Sequence, residues 1–559
     1  MRRLALAACL LALAVPAPAS AARFAVGVKP GADSSAVAKR IEARTGLYVS
    51  RFGPIALSLQ APDARAVRGV PGVAWVERIR ASRRPTFTPN DPFVVRQWYL
   101  NRINAFDAWL QPPTTLTPVR VAVLDSGIDS GHPELQNRIA DGESFVSSSW
   151  ESDTNGHGTF VAGEIAAALN NAVGIAGVGS VGLSAQLLVA KIVRSDGTIS
   201  PDAEAKAIRW AVENGARVIN MSFGGIRVPG DPASDTYSPL EAAAVRYAVN
   251  NGVLVVAAVG NSDNAPTEPW GYAGYPAALP HVLGVSAIGR DGSVPIFSNR
   301  DRRYNDIAAP GEDIFSTLPR ALTFNTKSSC TPQGYSDCGP PEFRRGEGTS
   351  FSAPLVVGAA AVLFGTAPWA QADQVANALT RSAADADPDT GCARCTIGRD
   401  ALTGWGLLDV EGAVQKMNDS LPEADEYEVN DDPSLAESLW GRKGQRIHAT
   451  IDYWDDRVDV YKVKLRPEQL FVARLRGPAG ANTNLFLWKP GTTRIGARSA
   501  DRRLLAGQSK SPGSVERIRL KVKERGWYYL VVRASSAGAG RYSLRYRKRA
   551  PQELREALR

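Results

Sequence analysis

The chain has 559 residues, 44% of them hydrophobic, and a net charge of +9. That length and apolar content exclude a single small domain and supply sizeable cores. The charge is divided: residues 441–559 hold 28 Lys and Arg against 10 Asp and Glu, residues 23–86 hold 12 against 4, and 87–440 is left at −19. An acidic centre between two basic flanks suggests that the flanks are drawn to the centre, or that the tail seeks anionic surfaces.

The chain opens with Arg2 and Arg3, then LALAACLLALAV, then small residues ending Ala19-Ser20-Ala21. This reads as an export signal, residues 1–21, cut after Ala21 or Ala22. Its apolar run is too short to span a bilayer. A twin-arginine signal lacks support beyond the Arg pair, and almost no apolar stretch precedes the lipoprotein-like LAAC. Residues 22–86 form a small βα module: strand RFAVGV, helix SSAVAKRIEARTG, strand IALSLQA, a short helix and strand VAWVERI. Residues 87–418 alternate apolar strands with amphipathic helices. The strands are RVAVLDSG, LLVAKIV, RVINMS, VLVVAAVGN and HVLGVSA; the helices include AEAKAIRWAVENG and LEAAAVRYAVNNG. That alternation predicts an α/β domain with a mostly parallel sheet and helices on both faces. The acidic stretch 419–433 reads as a linker. Beyond it, 434–549 carries alternating strands and predicts an antiparallel β domain.

The chemistry sits at element boundaries. Asp125 ends the strand VAVL, which by itself could be a turn former. His157, one of 4 histidines, stands between glycines in NGHGTFVAG. Ser350 stands in GEGTSFSAP before a long apolar run, where a serine can simply cap a helix. A serine nucleophile needs a base within hydrogen-bond reach, and the base needs an orienting carboxylate. Asp, His and Ser in that chain order match one known arrangement of the triad. Asn261, after VLVVAAVG, is a candidate side-chain donor to a developing oxyanion.

The segments VAVLDSGID, NGHGTFVAG, INMSFGG, VAAVGN and GTSFSAP resemble, in order and context, the signature blocks of the subtilisin-like serine proteases. The resemblance implies Asp125 as orienting carboxylate, His157 as base then acid, Ser350 as nucleophile, and Asn261 with the Ser350 N–H as oxyanion donors. Phe351 and Ser352 depart from the usual Met and Ala. The same resemblance implies that Ser222, Phe223 and Gly224 pair with an extended substrate, that Gly274 lies at the base of the S1 pocket, and that Tyr275–Pro276 is a candidate cis peptide. LNNAVGIAGV resembles the family's calcium loop, implying a structural Ca²⁺ held by Asp91, Glu134, the Asn171 side chain and the carbonyls of Leu169, Val173 and Ile175. Residues 22–86 resemble the family's inhibitory propeptides, with a self-cleavage site between Ile79 and Phe87. The tail resembles the bacterial pre-peptidase C-terminal domain.

Four cysteines remain beyond the signal; of three pairings, the sequence-local one, Cys330–Cys338 and Cys392–Cys395, is expected. One C-x-x-C alone is a poor zinc site. Gly177–Gly182 spells GxGxxG, but a loop precedes it and a strand follows, which rejects a dinucleotide site. The expectation is a secreted or cell-surface, self-processing serine endopeptidase. It acts on proteins or peptides, has its own propeptide as inhibitor and no organic cofactor, and is monomeric, with no nucleic-acid partner. An anionic cell surface is a further partner through the basic tail. A surface-binding protein with a vestigial protease domain, and a narrow processing protease, are the rival readings.

Overall fold

The computed structural model describes residues 22–45, 49–52, 56–61, 67–78, 87–110, 116–323, 339–419 and most of 421–549. It divides into two units, Met1–Thr86 and Phe87–Arg559. The signal segment and Cys330–Cys338 lie outside the described residues.

In the first unit, β1 (Ala22–Val28), β2 (Val49–Phe52), β3 (Ala56–Ala61) and β4 (Val73–Arg78) form an antiparallel sheet in the order β2-β3-β1-β4. Helix α1 (Ser34–Thr45) packs Val37 and Ile41 into its core. The strand β2 was not expected; its four residues, VSRF, are too few to show an alternating pattern.

The second unit begins with two short helices, α2 (Trp98–Arg102) and α3 (Ala105–Trp109). A seven-stranded parallel sheet follows. Its strands are β5 (Val119–Asp125), β6 (Ile139–Ser144), β7 (Ala185–Lys191), β8 (Val218–Met221), β9 (Leu254–Ala258), β10 (Val282–Ile288) and β11 (Ile307–Pro310). Their order is β11-β10-β9-β8-β5-β7-β6. The chain passes from β5 to β6 at the sheet edge, returns to place β7 between them, then crosses to β8 on the other side of β5. Strand β5 therefore lies at the switch point, where open α/β sheets form sites at the strands' carboxyl ends.

The interior strands are buried at nearly every position and read as continuous apolar runs. One face carries α4 (His157–Ala166), α7 (Thr349–Thr366), α8 (Ala372–Ser382) and α9 (Val410–Lys416); the other carries α5 (Pro201–Glu213) and α6 (Pro239–Asn250). Helix α7 is long and apolar enough to cross a membrane, yet it lies 89% buried in the core. A two-stranded ribbon, β12 (Ile314–Thr317) with β13 (Phe343–Gly346), leads into α7.

The tail holds β14 (Glu437–Leu439), β15 (Gly444–Asp452), β16 (Val458–Leu465), β17 (Leu470–Arg476), β18 (Thr483–Trp488), β19 (Leu505–Ser509), β20 (Val515–Lys521), β21 (Gly526–Ala534) and β22 (Ala539–Arg549). Two sheets, β14-β16-β21-β18-β19 and β15-β22-β17-β20, share one core in which Phe471, Leu530 and Leu544 are fully buried. This is a β-sandwich, antiparallel except that β14 runs parallel to β16. The acidic stretch before it is not free of the α/β body: His281 Nε2 stands 2.7 Å from Asp431. Arg381 pairs with Asp452 at 2.6 Å, and Trp405 stacks on Trp454. Cys392 and Cys395 form a disulfide, as expected.

Candidate active site

Asp125 is the last residue of β5, and His157 is the first of α4. Between them, His157 Nδ1 lies 2.9 Å from both Asp125 carboxylate oxygens. The approach depends on Gly158: a Cβ there would meet the Gly127 carbonyl at 2.1 Å and the Asp125 side chain at 3.1 Å. Asp153 fixes the connecting turn. Its carboxylate accepts from Ser126 Oγ, Asn155 N, Gly156 N, and both the N–H and hydroxyl of Thr159. Asp125 is 3% exposed, whereas His157 keeps 23% of its side chain open. Burial alone would depress the imidazole pKa. The charge of Asp125, its hydrogen bond and the charge of Asp153 outweigh that, and His157 titrates above its ordinary 6.5.

Ser350 is the second residue of α7 and does not cap it. The N-cap is Gly348, and no side chain of its own caps the helix. The work falls to Asn261, which arrives on the turn after β9. Its Oδ1 accepts from the Thr349 N–H at 3.0 Å and the Thr349 hydroxyl at 2.9 Å. With the oxygen engaged, the amide nitrogen faces Gly348. A Cβ on Gly348 would stand 3.2 Å from Asn261 Nδ2 and 3.8 Å from the Ser350 nitrogen. Asn261 Nδ2 and the Ser350 N–H thus both stand close to Gly348 at a helix N-terminus, a place suited to negative charge. Phe351 packs on Phe160 at 4.4 Å and on the His157 ring at 5.6 Å. Ser352 is fully buried, turned from the surface toward Gly311.

Ser222, Phe223 and Gly224 follow β8 directly. Gly225 and Tyr275 exchange hydrogen bonds at 2.8 and 2.9 Å, joining this segment to the one that holds Gly274. A Cβ on Gly224 would meet the Tyr275 carbonyl, and one on Gly274 the Gly225 carbonyl, each at 2.5 Å. Both glycines therefore serve the close approach of two backbones. Tyr275–Pro276 is cis. Asp153, Ser126 and Thr349 escaped the sequence reading because they hold the site without belonging to its chemistry.

The residues expected to hold calcium also converge. Asp91 accepts from the N–H groups of Asn170 and Asn171, and Glu134 from Ile175 N and Asn171 Nδ2. Asp91 is 3% exposed and Glu134 is fully buried. Burial, with Asp91's charge adding to it, pushes the Glu134 carboxyl up to about 8. Holding it ionised without a cation costs on the order of 5 kcal/mol. The carbonyls of Leu169, Val173 and Ile175 accept no hydrogen bond from the described residues. Asn171 Oδ1 accepts the Val173 N–H at 2.8 Å and keeps a second lone pair for a cation. Two carboxylates and several carbonyls are a donor set that fits Ca²⁺.

The Asp125–His157 pair, and Asn261 bound to Thr349 next to Ser350, stand where strands of a parallel α/β sheet end. Residues 117–406 match the model of the Subtilase family. The chain is 34% identical to subtilisin DY of Bacillus licheniformis over 298 residues, covering 53% of this chain and 91% of that protein. It is 31% identical to subtilisin E of Bacillus subtilis over 402 residues, covering 70% and 90%. Thermitase of Thermoactinomyces vulgaris is 33% identical over 251 residues, covering 44% and 82%. The chain belongs to the subtilase family and is a subtilisin-like serine endopeptidase.

Proposed function

We propose that the chain is an exported endopeptidase that hydrolyses peptide bonds in proteins through Ser350, His157 and Asp125. The observation that carries this reading is the His157–Asp125 pair, with Phe351, the neighbour of Ser350, packed on the His157 ring and Asn261 bound to Thr349. Ser350 Oγ attacks the scissile carbonyl, and His157 takes its proton. Asp125 holds the imidazole with its Nδ1–H inward, leaving Nε2 to accept. The carbonyl oxygen gains charge between the two N–H donors. His157 then protonates the leaving amine, and water, activated by the same base, releases the acyl group. The substrate lies extended beside Ser222–Gly224, adding a strand.

Asn261→Ala tests the oxyanion role. It is expected to lower kcat about 10²–10³-fold on a chromogenic peptide with KM nearly unchanged, the magnitude known for the corresponding change in subtilisin. A rise in KM alone would remove Asn261 from this role.

Residues 22–86 act as an inhibitor that the enzyme cuts away; their separate apolar core supports folding as a unit of their own. The cut window up to Thr86 lies outside the described residues. A structural Ca²⁺ is held by Asp91, Glu134 and the 169–175 carbonyls, neutralising two buried carboxylates. In the metal-free protein the Glu134 pKa, about 8, stands above its ordinary 4.5, so stability falls as pH rises across that window. Calcium needs the ionised carboxylate and should restore most stability at the upper end. Melting temperatures with calcium and with chelator should therefore differ more at pH 8.5 than at pH 6, as read by scanning calorimetry. An equal gap at both would exclude Glu134 from the ligand set.

A further inference from the structure

The outer face of the sheet β15-β22-β17-β20 carries an array of arginines that the protease does not use. Arg446 on β15 is in register with Arg545 on β22, Arg545 with Arg474 on β17, and Arg474 with Arg517 on β20. One row thus crosses all four strands, and every member is exposed. At ~4.8 Å per strand it spans about 14 Å. The next row along adds Arg547 and Arg519, and the row on the other side adds Arg476. Beside Arg446 and Arg545 the surface dips into a shallow depression of about 560 Å³, lined by Lys443, Arg547 and Arg549.

Counter-charge is missing where it would be needed. None of the four row arginines pairs with a carboxylate among the described residues. Asp452, which lies in register at one end of this face, is taken by Arg381 of the α/β body, and Glu468 is taken by Lys521 at a corner. Arg547, Arg446 and Arg474 together lower the pKa of Arg545, a sign of mutual repulsion. Like charges directly opposite each other weaken a sheet. Such a face is explained by an anionic partner that relieves the repulsion.

The shape selects the partner. The arginines extend in two dimensions over a sheet surface rather than along one groove. The rows carry Val472, Ser543 and His448 but no Phe, Tyr or Trp, so the face has no platform for stacking single-stranded bases. Arginine grips phosphate oxygens with a two-pronged fork. We propose that this face binds the surface of an anionic phospholipid bilayer and holds the endopeptidase there.

The test is co-sedimentation of the full chain with vesicles, repeated in a Ser350→Ala background so that autolysis cannot mimic release. The expected result is pelleting with phosphatidylcholine vesicles containing phosphatidylglycerol, none with phosphatidylcholine alone, and steep loss in high salt. Each arginine near such a surface is worth roughly fivefold in partitioning. The combined Arg446→Gln, Arg474→Gln, Arg517→Gln and Arg545→Gln variant should weaken binding at least ~100-fold. Its peptide hydrolysis should be unchanged, and its melting temperature unchanged or higher. A control variant with Lys489, Lys510, Lys523 and Arg525 changed to Gln loses the same charge elsewhere on the domain and should bind much as wild type. Equal loss in both variants would overturn the array in favour of diffuse charge. So would pelleting that ignores lipid charge, or binding of duplex DNA or polyphosphate without vesicle binding. Should the four-arginine variant fail to fold, the pairs Arg446→Gln with Arg545→Gln and Arg474→Gln with Arg517→Gln replace it, each expected to weaken binding roughly 25-fold against the control, and equal binding by pair and control overturns the array.

Discussion

Ser350→Ala is expected to lower kcat about 10⁶-fold while KM and the circular dichroism spectrum stay near wild type. That size of loss is known from subtilisin, where nucleophile and base act as one unit. The structure explains why the fold should survive. Ser350 is half-exposed at the second position of α7 and caps nothing. The orphan N–H of Thr349 is instead satisfied from outside the helix by Asn261 Oδ1. Removing one hydroxyl therefore leaves the helix start and the oxyanion donors in place. The same variant bears on maturation. If the first unit is shed by self-cleavage, wild type should acquire an N-terminus between Ile79 and Phe87, and purified Ser350→Ala should keep the one near residue 22. N-terminal sequencing and intact mass over time read this directly. Processing of the pure mutant at the wild-type rate would remove Ser350 from self-cleavage, and retained peptide hydrolysis would remove it from catalysis.

Asp125→Asn should cost about 10⁴-fold in kcat near neutral pH, the size of the equivalent loss in trypsin. Both carboxylate oxygens lie 2.9 Å from His157 Nδ1, and Oδ1 also accepts from the Ser126 N–H at 2.7 Å. An amide in that place offers an N–H toward the imidazole and favours the tautomer with its proton on Nε2, which cannot accept from serine. The pH profile separates this from simple damage. In wild type the His157 pKa is raised above 6.5, so kcat/KM should fall on the acid side at a pH above that value. The variant loses the upward pull of Asp125 while burial still pulls down. Its residual activity should therefore hold to lower pH. An acid limb that does not move would mean that Asp125 does not set the state of His157.

The site was more legible than the sheet edges. Asp125, His157, Asn261 and Ser350 each stand at an element boundary within two residues of a glycine, and histidines number only 4. The edge strands were harder. β6 is IADGES, polar and without a buried position, and β11 is four residues, IAAP. Both become strands because β7 and β10 offer open edges, not because of their own pattern. Asp153 was invisible for a related reason. Its five hydrogen bonds reach Ser126 across 27 residues as well as the turn around it.

By itself, the sequence determined the candidate residues Asp125, His157, Asn261 and Ser350, their order and the helix and strand ends that carry them. Apolar periodicity and glycine placement are local, and the chain displays them without folding. Only the tertiary structure decided how these ends meet: β5 between β7 and β8, Gly158 against Asp125, and Asn261 reaching over 88 residues to Thr349. The arginine row is the clearest case. Residues 446, 474, 517 and 545 lie 28, 43 and 28 residues apart in the chain, far beyond any local contact. They align because strand register is set by burying Ile447, Leu475, Ile518 and Leu544 on the opposite face, and a slip of one residue would turn every arginine inward.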